Sequence, residues 1–380
     1  MNGEDKTSGQ VTAVRRMAPV LVSLSRIARI WVNRQLGRRP KHLPVLLMAV
    51  THRCNLRCAM CGVWNDPRIK SADPELTRDE WYAVVNSAKR LGVFLISITG
   101  GEPLLRDDVY DIIRYGRDRG IGVHICTNGA LLTDERVERL VSSGVNTVSI
   151  SVESPEPSLH DALRGEGSFD QTVAGIRRLR ERAPELNIGI NYVITARNFR
   201  NMLDMIPFAE GLGVNQLKFA PIHTNLQHRE KVFNPGDGLL FSEDLLPELD
   251  QYVRNAIQAL RKTSLGTTSI TFLRGITSLY RTPQRFRCYA GYAVTTINPW
   301  GVVSPCCDIA GNQSVRDTPL EAIWHGRAFR ELCQCVHRCS SPCWDTTNTE
   351  LSLRFAWRCL ATELLHTWRD IGFYFGRNKP

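Results

Sequence analysis

From Val45 to Phe219 short apolar runs alternate with longer amphipathic ones, the pattern of repeated strand and helix units built on a parallel sheet. Six runs read as strands: Val45 to Thr51, Phe94 to Thr99, Gly122 to Thr127, Thr147 to Val152, Ile188 to Ile194 and Gln216 to Ala220. Helical spacing fills the intervals at Arg78 to Leu91, Val109 to Arg119, Asp134 to Ser142, Asp170 to Arg182 and Phe199 to Leu212. Six such units predict an α/β fold, a partial (β/α)6 TIM-like barrel over residues 45–225.

A polar loop from His223 to Gly238 then leads to a predicted helix from Glu243 to Arg261, and residues 263–285 show no clear period, so 226–285 reads as a connection. From Cys288 the character changes. Asn298, Pro299 and Gly301 mark the turn of a hairpin over Thr295 to Ser304, and the stretch beyond it is dense in cysteine. Residues 286–350 therefore read as a small cluster-binding domain containing a β-hairpin.

Both ends carry helical stripes. Met17, Val20, Leu21, Leu24, Ile27, Ala28 and Trp31 recur at helical spacing within residues 1–44, and Leu353, Trp357, Leu360, Leu364, Trp368, Ile371 and Phe375 do so within 351–380. Charge sharpens this picture. Of the net charge of +10, eleven bases and no acid lie between Asp5 and Asp66, while the middle of the chain is close to neutral. Basic stripes with Trp31, Trp357, Trp368 and the run Phe373, Tyr374, Phe375 suit an anionic membrane surface as well as they suit packing on the barrel. A nucleic-acid binder would instead spread its basic patch over the folded body.

With 43% hydrophobic and 23% charged residues the chain is an ordinary folded protein, not a disordered one. No run approaches the roughly 18 apolar residues of a membrane span, and the polar start MNGEDKTSGQ lacks the pattern of a secretory signal. The expected location is cytoplasmic, or peripheral at the inner face of the membrane. Twelve cysteines there stay reduced, which points to metal or cluster ligation rather than to disulfides.

Cys54, Cys58 and Cys61 share one loop at the carboxyl end of the first strand, where barrel active sites form. A four-iron four-sulfur (4Fe–4S) cluster normally takes four cysteines, so three leave one iron open. Structural zinc more often pairs two thiols with two ligands elsewhere. The spacing CxxxCxxC resembles that of the radical S-adenosylmethionine (SAM) superfamily, and Gly100, Gly101, Glu102 and Pro103 resemble its Gly-Gly-Glu-Pro element after strand two. Asn128 at the end of strand three, Ser151 and Glu153 on strand four, Arg164 in the following loop and Asn191 on strand five resemble positions that contact SAM in relatives. Met60 stands where many relatives carry an aromatic residue.

The resemblance implies that the open iron chelates SAM and that one electron cleaves its sulfur–carbon bond to give a 5′-deoxyadenosyl radical. That radical abstracts hydrogen from an unactivated carbon. A one-electron donor such as flavodoxin or ferredoxin is implied as partner.

The second cysteine group, opening with Cys288, Gly301 and Cys306, resembles the carboxy-terminal extension called SPASM or its shorter twitch form. The resemblance implies at least one auxiliary 4Fe–4S cluster, held by Cys288, Cys306, Cys339 and Cys343, with Cys333, Cys335 and Cys359 as candidate ligands of a second. Strand alternation is expected to turn Cys307 away from Cys306, and Cys126 is expected in the core. Clustered cysteines beside a hairpin also describe a zinc ribbon, so a zinc-held nucleic-acid binder is a distant alternative. The charged ends favour a lipid or membrane-associated substrate. The alternative is a peptide-modifying maturase, although residues 1–44 lack the strand pattern of a leader-binding domain.

Overall fold

A computed structural model describes residues 28–38, 40–71, 73–223, 237–281, 286–340, 343–356 and 372–374. Its centre is an eight-stranded sheet in the order β6-β5-β4-β3-β2-β1-β7-β8. The strands are β1 Val45–Thr51, β2 Leu95–Gly100, β3 Gly122–Thr127, β4 Thr147–Ser151, β5 Asn187–Ile194, β6 Gln216–Pro221, β7 Val294–Ile297 and β8 Val303–Ser304. All neighbours pair in parallel except β7 and β8, which form the hairpin. The expected six-unit partial barrel is present. The hairpin is not a separate sheet, since β7 pairs with β1 and extends the barrel by one edge.

Strand alternation decides what each face of the sheet meets. On the helix side Met48, Ile98, Ile125, Ile150, Ile190 and Phe219 are fully buried. On the other side Ala49, Thr99, Cys126, Ser151, Asn191 and Ala220 are only half buried, so the barrel encloses a chamber lined by small and polar groups. Cys126 lines this chamber rather than the packed core.

The helices follow the strands as their patterns require. Arg78–Arg90 starts with a capping box between Thr77 and Glu80 and buries Trp81, Val84, Val85 and Ala88. Two helices differ from the sequence reading. Pro157–Arg164 is helical, opened by a proline at its first turn, and Ile270–Arg281 forms a helix where the sequence shows no clear period.

The ends also differ. In the helix over residues 28–35, Ala28 and Trp31 face solvent and Ile30 and Arg34 are buried. Arg34 turns inward because it finds partners there: Nε donates to the carbonyl of Cys288 at 2.6 Å, the guanidinium lies 5.2 Å from the Tyr292 ring centre, and it also meets His337. At the other end Phe373 and Tyr374, expected in an interfacial aromatic run, lie inside the barrel. Burying an aromatic side chain contributes about 2 kcal/mol, which a surface position forgoes. The remaining stripe residues before 28 and after 356, with Trp357, Cys359 and Trp368, fall outside the described residues, as does most of the loop after His223. No helix among the described residues is long and apolar enough to cross a membrane.

Candidate active site

The loop carrying Cys54, Cys58 and Cys61 leaves β1 and is fastened on two sides. On one side the end of β2 pairs with it: Gly101 N donates to Thr51 O at 2.7 Å and Glu102 N to Arg53 O at 2.9 Å. The two glycines make this approach feasible. A Cβ on Gly100 would sit 2.1 Å from Thr51 O, and one on Gly101 would sit 2.2 Å from Arg53 O. Their first duty in this fold is to let two backbones meet.

On the other side Ala59 N donates to Leu163 O at 2.8 Å, and Cys58 and Met60 are buried against Leu163, Ile222 and Leu239. Helix Pro157–Arg164, absent from the sequence reading, is thus a wall of the site. Its proline and short length hid it.

Glu102 is fully buried and ties β2 to β3. Its carboxylate accepts from Leu104 N at 3.0 Å, Thr127 Oγ1 at 2.8 Å and Asn128 N at 2.7 Å. Asn128 in turn donates to Asn55 Oδ1 at 2.8 Å, and its Nδ2 lies 3.9 Å from Cys54 Sγ. Leu56 N approaches the same sulfur at 3.5 Å. Pro103 is buried at the start of the turn beyond Glu102.

Glu153 and Arg164 form a buried ion pair, Nη1 to Oε1 at 2.6 Å, with Glu153 Oε2 accepting from Val193 N at 2.6 Å. Burial alone would lower the Arg164 pKa, but the negative charge of Cys58, once its thiol is ionised, and of Glu153 outweighs it, so the pKa is raised. Arg164 Nε is buried and has no hydrogen-bond partner. Removing one member of such a pair strands a buried charge, so Glu153→Gln should lower stability by about 3–5 kcal/mol, and Arg164→Met added to it should recover much of that loss. Urea midpoints of the two variants check this. Ser151 and Asn191 sit side by side in the β4–β5 register and face the chamber.

These features suit an anionic metal cluster. Burial pushes the Cys58 thiol up to about 11 and raises Cys54 as well, so the thiols stay protonated until a metal displaces the protons. A buried guanidinium with an unused N–H, and an amide and an amido group near Cys54 Sγ, are donors that thiolates and cluster sulfides would accept.

The second group of cysteines gathers where the hairpin meets helix Arg327–Arg338. Burial pushes Cys288 to about 11 and Cys306 to about 12, and Cys339 acts electrostatically on Cys288, as Cys288 does on Cys306. Cys343 is raised further by burial and by Asp345, with its Sγ 3.2 Å from Asp345 Oδ2. Cys333 is buried and donates to Gly291 O at 3.4 Å, whereas Cys335 is exposed on the same helix. Cys307 lies near enough to Cys343 to act on it electrostatically. It lies beyond β8 in a bend, where strand alternation no longer applies, and its sulfur is 4.0 Å from His223 Nε2. His223, which pairs with Asp308 at 2.9 Å, joins the barrel to this region. Neither was found in the sequence, because each acquires meaning only through a partner 85 residues away.

Comparison with known proteins agrees with this geometry. A family model described as the Radical SAM superfamily matches residues 48–206. An AdoMet-dependent heme synthase of Methanosarcina barkeri is 36% identical over 301 residues, covering 74% of this chain and 82% of that one. A PqqA peptide cyclase of Granulibacter bethesdensis is 28% identical, with 80% of each chain covered. Among solved structures, Streptococcus suis SuiB bound to precursor peptide SuiA superposes with a TM-score of 0.62 at 19% identity, over 79% of this chain and 68% of that one. This chain is an enzyme of the Radical SAM superfamily, which works with SAM and a 4Fe–4S cluster and whose SPASM-type members carry auxiliary clusters.

Proposed function

We propose that the enzyme modifies a peptide substrate by abstracting hydrogen from one of its unactivated carbons. Cys54, Cys58 and Cys61 would hold the SAM-binding cluster, and Cys288, Cys306, Cys339 and Cys343 an auxiliary one. When bound, the first cluster with SAM supplies the 5′-deoxyadenosyl radical. The chain's own residues prepare the place for it. Gly100 and Gly101 fix the cysteine loop against β2, and Glu102 locks Asn128 beside Cys54. Arg164, anchored by Glu153, offers a cation to the cluster or to the methionine carboxylate. Ser151 and Asn191, paired in register, present polar groups to the chamber and would be available to a bound SAM.

The observation that carries the peptide reading is alignment along most of both chains with a peptide cyclase, together with the shared fold of an enzyme caught with its precursor peptide. We prefer the peptide reading to the lipid one, which rested on the charged terminal stripes and their aromatic run; of that run Phe373 and Tyr374 lie inside the barrel. A second reading, a heme-type tetrapyrrole as substrate, is favoured by the 36% identity to the heme synthase. Anaerobic incubation of the reduced enzyme with peptide, tetrapyrrole and lipid fractions, followed by mass spectrometry, tests this. A peptide losing two hydrogens or gaining a cross-link supports the proposal; turnover confined to the other fractions rejects it. A flavodoxin or ferredoxin would serve as electron donor.

A further inference from the structure

At the amino-terminal end of the barrel, β3, β5 and β6 meet residues far away in sequence. Asn187 Nδ2 on β5 donates to Gly372 O at 3.3 Å and to Phe373 O at 2.9 Å. Lys218 Nζ on β6 donates to Tyr374 Oη at 2.6 Å and lies 4.8 Å from the centre of its ring. His124 on β3 meets the same ring edge-on at 5.3 Å. On β5 the seat is made by the lack of a side chain, since a Cβ on Gly189 would stand 3.0 Å from Phe373 Cζ. Phe373 is accordingly buried.

Beneath the chamber the strand residues form a polar cluster. Ser97 Oγ and Ser149 Oγ flank the His124 imidazole at 2.8 and 2.9 Å, and Cys126 Sγ lies 3.8 Å from His124 Nε2. One step above are Thr99, Cys126, Ser151 and Asn191, the half-buried lining of the chamber. The cysteine loop occupies the opposite, carboxyl-terminal end of the strands.

We propose that residues 372–374 are the floor of the reaction chamber, a wall supplied by the chain's own tail that bars solvent from entering along the barrel axis. The need is chemical: a carbon radical in an open-ended barrel would meet water and small solutes from below. Two aromatic rings on a lysine, a histidine and a glycine close it with little material. The inference rests on reading the barrel interior as the place where the radical acts.

The test uses Cys126 as a reporter of the chamber. Full-length protein, reconstituted with iron and sulfide and saturated with SAM in the absence of reductant so that the mouth is filled, is pulsed anaerobically with N-ethylmaleimide. Modification of Cys126 is then followed by peptide mass spectrometry. The same is done for a chain ending at Ile371 and for Gly189→Leu, which keeps the tail but fills its seat. Labelling of Cys126 should be slow in the parent and about tenfold faster or more in both variants, as expected when a closed region is opened locally. Bound iron and the far-ultraviolet spectrum should be unchanged. Equal labelling in parent and folded variants overturns the floor. If the shortened chain does not fold, Gly189→Leu decides alone, and no acceleration there overturns it. SAM cleavage by the parent reports on the radical reading separately, so the two failures are distinguishable.

Discussion

Replacing Cys54, Cys58 and Cys61 together by alanine abolishes reductive cleavage of SAM to 5′-deoxyadenosine, while about four irons remain on each chain in the auxiliary site. The argument is one of separation. The three thiols lie on the loop leaving β1, held by β2 and by helix Pro157–Arg164, whereas Cys288, Cys306, Cys339 and Cys343 belong to the hairpin and the segment after helix Arg327–Arg338. Among the described residues, the bonds named above for the first loop do not involve the cysteines of the second group. Iron and sulfide analysis and a chromatographic assay for 5′-deoxyadenosine check both halves. Near-zero iron with tightly held zinc would instead favour a structural zinc site, and a count near eight would bring Cys333, Cys335 or Cys359 into a second auxiliary cluster.

Gly101→Ala has the second large effect. The new methyl carbon would lie 2.2 Å from Arg53 O and 2.7 Å from His52 O, both backbone atoms that cannot swing aside. The loop must therefore move off the end of β2, and the bonds from Gly101 N and Glu102 N, at 2.7 and 2.9 Å, are strained or lost. A misplacement near 1 Å can cost about 100-fold in rate, so cleavage of SAM should fall by at least that factor, with weaker retention of iron in the loop. Gly211→Ala is the control, since nothing lies within 4 Å of a Cβ there. Equal loss in both, or none in Gly101→Ala, would show that the backbone contact is not what holds the loop.

Much of the barrel was legible because its strands are short apolar runs bounded by turn residues, and β1 and β3 lie where the periodicity put them. The cysteine spacing and the Gly-Gly-Glu-Pro element were equally plain, being local in sequence. What was not legible is how those residues serve each other. Glu102 meets Thr127 and Asn128, 25 and 26 residues on, and nothing near Glu102 announces them. Pairing of β7 with β1 joins segments about 250 residues apart, so the hairpin read as an independent unit. The terminal stripes left their partner open for a related reason. Amphipathic spacing says that a face will be covered but not by which partner, and Phe373 and Tyr374 are covered by the barrel itself.

Electron paramagnetic resonance of the anaerobically reduced full-length protein, recorded before and after addition of SAM, tests the central claim most directly. If Cys54, Cys58 and Cys61 hold a cluster with an open iron, SAM changes the signal of the parent protein and leaves the remaining signal of the triple alanine variant untouched. A parent signal indifferent to SAM, or an equal change in the triple variant, would contradict it.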